Sequence, residues 1–399
     1  MISPQELLRT RTVDELNRSA EEYFAKIKDP TCLLAKPFNL SDHCSRLLQE
    51  FAVLLAGLDL WPLMDVIDFG AGSCWSSYFL SQAGCKVYPV DVSETALNLG
   101  RRRYAEHPPF GATLAPEFLV FDGHRIQLPD QSVDRIMCMH ALHHVPNPRD
   151  VFFEMARVLR HDGIAGFCEP GPDHSKGALS QSEMKAGVLE NDIVIEDLWE
   201  WARDAGFKQI TLAVYGPEAA RLSLPEYQKF IAGSAELDGR VIDPIRGYAK
   251  KTRTFFLHKE AVTLVDSRVM SALMAEIQAE FSGPYREGGE IRAKVCIRNT
   301  GTATWLESGL ASGAVNLGCH LVDLAAGEFD RDYVNFRGAL RKDGGNVQPG
   351  ESVTLEVKIP CPAAGVYEIQ LDLVSEHVCW FGDAGKSEVV KVRIEVGRV

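Results

Sequence analysis

The 399-residue chain has no apolar run near the roughly 18 residues that a membrane span needs, and no CxxC pair among its ten cysteines. The first absence excludes a helical span, and the second argues against a zinc or redox centre built on paired thiols. Cysteines 32, 44, 74, 85, 138, 168, 296, 319, 361 and 379 stand singly, some in apolar runs such as DRIMCMHAL, and read as reduced thiols of a cytoplasmic protein. Basic clusters are also scarce. There are 42 Lys+Arg against 55 Asp+Glu, a formal charge of −13, and the only basic runs are Arg101–Arg103 and Lys250, Lys251 and Arg253. Phosphate backbones are bound by larger clusters, so nucleic acid is not an expected partner. The N-terminal MISPQELLRTRTVDELNRSAEEYF has neither an apolar core nor a small-residue cleavage site and does not read as a secretory signal.

What is present is a globular composition, 46% hydrophobic, over a length that suits two or three domains. Residues 1–60 read as helical, a segment or lid of the domain that follows. In NLSDHCSRLLQEFAVLLAGL (39–58), Leu47, Leu48, Phe51, Leu54 and Leu55 share one face behind a Ser41 or Asp42 cap. Over 61–265, short apolar runs (DVIDFG, KVYPVDV, PEFLVFD, VDRIMCMHAL, IAGFCEP) alternate with amphipathic patterns (SETALNLGRRRYAE, PRDVFFEMARVLRHDG), which predicts βαβ units and a doubly wound α/β domain on a mostly parallel sheet. Residues 266–276 read as a linker. Over 277–399 the period becomes two, with Gly, Pro and Asn turns between strands and no helical pattern, which predicts an all-β sandwich.

The strand-turn-helix VIDFGAGSCWSS (66–77) brings backbone N–H groups and a helix start to a ligand. A dinucleotide fingerprint needs glycine at the sixth position, where this chain has Trp75, so NAD and FAD fit poorly. Asp91 ends the next strand nineteen positions past Gly72, the spacing of a βαβ unit. With FDGHRIQLPDQSVD, DRIMCMHALHHVPNP and MARVLRHDGIAGFCEP following in order, the text over roughly 40–260 resembles the class I S-adenosylmethionine-dependent methyltransferases. The resemblance implies a Rossmann-like seven-stranded sheet and S-adenosylmethionine as cofactor. It assigns Asp68 to the cofactor's amino-acid end, Gly70 and Gly72 to bare backbone beside the methionine moiety, and Asp91 with Val92 to the ribose. Asp122, Gly123 and His140 would serve the adenine and its surroundings. Cys74 stands where the family has its third glycine. Plainer readings stay beside these: Asp68 and Asp91 as caps at strand ends, Asp122 as a turn residue, Trp75 as helix packing.

Transfer to a hydroxyl needs a base, and histidine is the usual one near neutrality. The candidates follow the fourth and fifth apolar strands: His143 and His144, then Glu169 and His174 in CEPGPDHS. His144 and His174 rank first as bases and Glu169 as their orienter, against a structural, hydrogen-bonded role for each. No cysteine cluster points to a metal, and none is expected.

IRNTGTATW (297–305) and DLVSEHVCWFGDAG (372–385) make the C-terminal region resemble the immunoglobulin-like domains appended to bacterial glycosyltransferases and to polysaccharide-biosynthesis methyltransferases. The EPGPDHS segment is similar to the same group. The resemblance implies O-methylation of a sugar in a surface polysaccharide or glycan. Methylation of a small-molecule metabolite and a non-catalytic cofactor-binding scaffold are the alternatives. Trp305, Tyr333 and Trp380 either stack on sugar rings or fill the sandwich core; docking of a protein, or of a second copy as a homodimer, is the third role for this region. The net negative charge favours a neutral acceptor.

Overall fold

The computed structural model describes the chain apart from residues 112–113, 217, 234–237, 262–264, 311, 385–386 and 399, and apart from the side chains of residues 41, 42 and 238. The chain divides into two units, Met1–Val262 and Thr263–Val399.

Continuous apolar strands in the first unit become a buried sheet. They are β1 (Asp65–Phe69), β2 (Lys86–Asp91), β3 (Leu119–Val120), β4 (Val133–Met139), β5 (Leu159–Pro170), β6 (Gln209–Ala213) and β7 (Thr252–His258). Their order is β3-β2-β1-β4-β5-β7-β6, with β1 to β5 parallel and β7 antiparallel to both its neighbours. The helices are α1 (Pro4–Thr10), α2 (Val13–Ala25), α3 (Thr31–Leu34), α4 (Ser41–Leu58), α5 (Trp75–Gln82), α6 (Glu94–Glu106), α7 (Pro148–Val158), α8 (Ala178–Lys185), α9 (Ile195–Asp204), α10 (Leu224–Ile231) and α11 (Asp238–Ala249). Helices cover both faces. Val151, Phe152 and Met155 of α7 join Leu198 and Ala202 of α9 on one side; Phe51, Leu54 and Leu58 of α4 join Trp75 and Leu80 of α5 on the other. This is the doubly wound α/β arrangement the strand pattern predicts. Because the chain runs outward in both directions from β1 and β4, the crevice at their carboxyl ends is the topological switch point where such sheets bind ligands.

Segment 1–60 is helical and divides in two: α4 buries Leu54 and Leu58 completely against the sheet, while α2 lies over the crevice. The proposed Ser41 or Asp42 cap lies outside the described side chains.

The second unit holds β8 (Ala275–Ser282), β9 (Tyr285–Arg286), β10 (Glu290–Asn299), β11 (Val315–Asp323), β12 (Glu328–Asp330), β13 (Gly338–Ala339), β14 (Ser352–Pro360), β15 (Gly365–Ser375), β16 (Cys379–Trp380) and β17 (Val390–Gly397). One sheet is β14-β10-β8. The other is β12-β11-β15-β17-β9, with β13 on β11 and β16 on β15. Alternate residues Ile291, Ala293, Val295 and Ile297 of β10 face Leu317, Ile369, Leu371 and Leu373 of the second sheet in one core, so the two sheets form a sandwich. Residues 266–276, read as a linker, belong to this sandwich. Ser267 Oγ donates to the Gly313 carbonyl at 2.5 Å, Leu273 is fully buried, and β8 begins at Ala275, because Ala275 and Ile277 start a period-two face that outcompetes the weak helical pattern. Sugar stacking by Trp305, Tyr333 and Trp380 is also corrected. They are only 0%, 8% and 9% exposed, Trp305 packs edge-on to Phe381, and no ring face is free for a ligand. Among the described residues no helix is long and apolar enough to cross a membrane, and the ten cysteines are free thiols.

Candidate functional site

The turn after β1 is shaped by three residues in the left-handed region: Gly70 (φ 70°), Gly72 (φ 52°) and Cys74 (φ 55°). Gly72 leaves its N–H to Asp91, whose Oδ2 accepts it at 2.8 Å while Oδ1 accepts the Ser93 N–H at 2.9 Å. The carboxylate at the end of β2 is thereby fixed across the turn with lone pairs to spare. Burial pushes its pKa up to about 6, with the nearby charges of Asp68 and Glu21 adding to the shift against these two backbone hydrogen bonds. Among the described residues a Cβ on Gly72 would meet nothing nearer than Phe24 Cζ at 4.0 Å, which leaves room for a ligand along this backbone edge. Cys74, in place of the third glycine, is accommodated from α6. Its sulfur occupies the space a side chain at Gly100 would fill, since a Cβ there would sit 2.3 Å from Sγ.

These groups wall a cavity of 280 Å³ that follows the carboxyl ends of β1, β2, β3 and β4. Gly70, Gly72, Asp91, Val92, Gly123 and His140 all line it, as the resemblance implies. Two assigned residues do not. Asp68 is 1% exposed and its Oδ2 accepts from Ser76 Oγ at 2.7 Å and Ser77 Oγ at 2.5 Å, so it braces the start of α5 instead of facing a ligand. Asp122 is a turn residue: its Oδ1 accepts the N–H groups of His124 and Arg125, each at 2.7 Å. Over the cavity lies α2, which contributes Asn17, Tyr23 and Phe24. Glu21 clamps this helix to the start of α6, accepting from Ser93 Oγ at 2.5 Å, from the Thr95 N–H at 3.2 Å and from the Thr95 hydroxyl. Lys36 adds a cation to the wall, and burial pushes its pKa down.

Of the candidate bases, His144 lines the cavity. Its Nδ1–H donates to the Leu189 carbonyl at 2.7 Å, so Nε2 retains its lone pair; burial, then the adjacent His143, push its pKa down to about 4. His143 and His174 lie outside the cavity wall. Glu169 is fully buried and orients neither His144 nor His174. It accepts the Ala141 and Leu142 N–H groups at 2.9 Å each and holds His143 Nδ1 at 2.6 Å, because β5 ends directly behind the loop that follows β4. Glu190 is the acid that orients His174, with Oε2 2.7 Å from His174 Nε2; its Oε1 lies 3.3 Å from His144 Nδ1, whose N–H is given to Leu189 O. His140 takes a left-handed φ of 54° that sets Nε2 3.1 Å from Glu50 Oε2; burial disfavours its charge, but Cys168 and Glu50 push its pKa up to about 10. Glu190, Glu50 and Lys36 carry no local sequence signal, since each meets its site through chain folding.

Residues 67–167 match the family described as "Methyltransferase domain". The demethylmenaquinone methyltransferase of Clavibacter sepedonicus is 33% identical over 104 residues, 26% of this chain and 40% of that protein. The ubiquinone biosynthesis O-methyltransferase of Aeromonas salmonicida (strain A449) is 30% identical over 98 residues, 25% of this chain and 40% of that protein. The chain therefore spans less than half the length of these relatives. A solved geranyl diphosphate methyltransferase in complex with GPP and sinefungin shares 17% identity, covering 61% of this chain and 98% of its own at a TM-score of 0.44. The site also fits the cofactor of such domains: a strand-end carboxylate with free lone pairs suits a ribose, and the open Gly72 edge suits a methionine tail. Residues 67–167 thus match a methyltransferase domain, and the residues around the cavity fit S-adenosylmethionine as its cofactor.

Proposed function

We propose that the protein transfers a methyl group from S-adenosylmethionine to an acceptor hydroxyl, most specifically of a sugar in bacterial surface polysaccharide or glycan biosynthesis. The observation that carries the reaction is one cavity lined both by the Asp91–Gly72 pair and by His144 with Nε2 unprotonated. When bound, the cofactor supplies a methyl group on a positively charged sulfur. Asp91 accepts the ribose hydroxyls and Gly72 admits the amino-acid end. The covering α2 excludes water, which strengthens the polar contacts beneath it. His144 takes the acceptor's proton at Nε2 while its Nδ1–H stays on Leu189 O and Glu190 faces the cation that forms. The glycan acceptor rests on the sequence resemblance of the EPGPDHS segment and of the C-terminal region to polysaccharide-biosynthesis proteins.

A second reading has its own support. The names of the curated relatives point to quinone precursors, and Leu16, Tyr23, Phe24 and Leu47 make part of the cavity apolar enough for a phenolic acceptor. Transfer of labelled methyl groups into cell-envelope extracts, nucleotide sugars and demethylated quinols separates the two. Label is expected in the glycan fraction, reduced about 10²–10⁴-fold by His144→Ala with cofactor affinity retained. Label confined to quinols would move the acceptor, and cofactor binding without any transfer would leave a scaffold.

A further inference from the structure

Behind His144, where the loop after β4 meets the segment following β5, the side chains of His143, His174 and Glu190 converge. One donor atom from each lies within 4.8 Å of the others. The rings of His143 and His174 are edge to face, 5.0 Å between centroids, and His174 Nε2 is 2.7 Å from Glu190 Oε2. Metal-bound histidines usually give their second ring N–H to a carboxylate, which fixes the tautomer and raises the basicity of the coordinating nitrogen. His143 has that arrangement, because Nδ1 is held by the fully buried Glu169 at 2.6 Å and Nε2 is the atom left to coordinate. The carboxylate is the independent sign. Glu190 is 2% exposed, yet among the described residues no N–H or hydroxyl group reaches its buried Oε1, since the nearby His144 Nδ1–H is spent on Leu189 O. Its remaining neighbour is a second carboxyl, Glu183, which shares a hydrogen bond with it and also lines the cavity. A cation would replace the proton that two adjoining carboxyls must share, and would find in Glu183 a further oxygen donor between the cluster and the cavity.

We propose that His143, His174 and Glu190 bind a divalent first-row transition cation such as Zn²⁺, Mn²⁺ or Fe²⁺, with Glu169 as the acid behind His143. Two imidazoles and one carboxylate favour these ions over Mg²⁺, which prefers oxygen ligands and keeps its water. Three protein donors leave coordination positions open, as in metal sites that engage a substrate oxygen. Resting on the methyl-transfer reading, the ion's partner is an acceptor oxygen arriving past Glu183.

The test uses the full chain, stripped with chelator and titrated with Zn²⁺, Mn²⁺, Mg²⁺ and, as an optical probe, Co²⁺. One equivalent of Zn²⁺ is expected to bind with a Kd on the order of 1 μM or tighter. The Co²⁺ complex should show d–d bands without thiolate charge transfer, which sets this site apart from the group of Glu50, His140 and Cys168. His174→Ala, at a half-buried position, and Glu190→Gln should each abolish the stoichiometric binding, Glu169→Gln should weaken it about 10–100-fold, and Cys168→Ser should leave it intact. Circular dichroism confirms that each variant is folded. Absence of saturable binding, a thiolate band, or binding that survives both His174→Ala and Glu190→Gln overturns the proposal. Calorimetry of S-adenosylmethionine on the metal-free protein is scored separately, so loss of the metal site and loss of the cofactor reading give different results.

Discussion

Asp91 is a carboxyl whose surroundings oppose its charge but whose task requires it. Burial pushes its pKa up to about 6, and only the ionised form keeps all its lone pairs for two backbone N–H groups and a ribose. Cofactor affinity should therefore be level above about pH 7 and fall up to tenfold per unit below about pH 6. Asp91→Asn should flatten that profile and weaken binding by about 10–100-fold, the scale of a hydrogen bond to a charged group. Calorimetry between pH 5 and 8 checks both; a slope that persists in the variant would assign the titration elsewhere. Without ligand the stability sign is reversed from an ordinary surface acid. The native state holds the proton more tightly than the unfolded chain, so this group's contribution is present below 3.8 and lost as pH rises to about 6. Asp91 was legible because a strand end and its distance from Gly72 fix where the side chain emerges. Asp68 and Asp122 carried the same strand-end signal, but their directions are decided by Ser76 and Ser77 and by a local turn, which spacing does not report. Cys74 stood out as a departure from pattern, while the residue that accommodates it, Gly100, lies on another helix.

At the scale of elements, helices and strands were readable from periodicity and their partnerships were not. The sheet, its order of elements and the period-two sandwich strands follow from apolar pattern, whereas the division of 1–60 into a covering α2 and a sheet-packed α4 depends on tertiary contacts. The metal-type cluster was unreadable for the same reason: His143, His174 and Glu190 are separated in sequence and joined by the return of the chain after β5. The Glu21 clamp is another such partnership, and it makes α2 a cover whose closure can be weakened selectively. Glu21→Ala removes three acceptor contacts to Ser93 and Thr95, so local opening of α2 should become easier by about 1–3 kcal/mol. Cofactor dissociation should speed by about tenfold or more, with faster amide exchange confined to residues 13–25 and little change in global melting. Stopped-flow dissociation and hydrogen exchange measure the two effects. Unchanged release with faster exchange would show that α2 does not gate the cavity.

For the whole molecule, each unit has its own core. The sandwich core contains only residues of the second unit, and the cores on the two sheet faces contain only residues of the first. Ligand and core substitutions should therefore act on separate parts of a melting profile. S-adenosylmethionine at about 100 times its Kd should stabilise the first unit by about 2.7 kcal/mol and leave the second where it is. Trp305→Ala should do the converse. The indole is fully buried against Phe381, so its removal should cost the second unit about 3–5 kcal/mol, offset in part because Nε1 has no hydrogen-bond partner among the described residues. Cofactor affinity should be unchanged in this variant. Differential scanning calorimetry of the full chain, with and without cofactor, is expected to resolve two transitions, one moved by ligand and the other by the substitution. A single transition moved by both would mean that the two cores unfold as one cooperative system, and the assignment of cofactor binding to the first unit alone would then need direct mapping by hydrogen exchange.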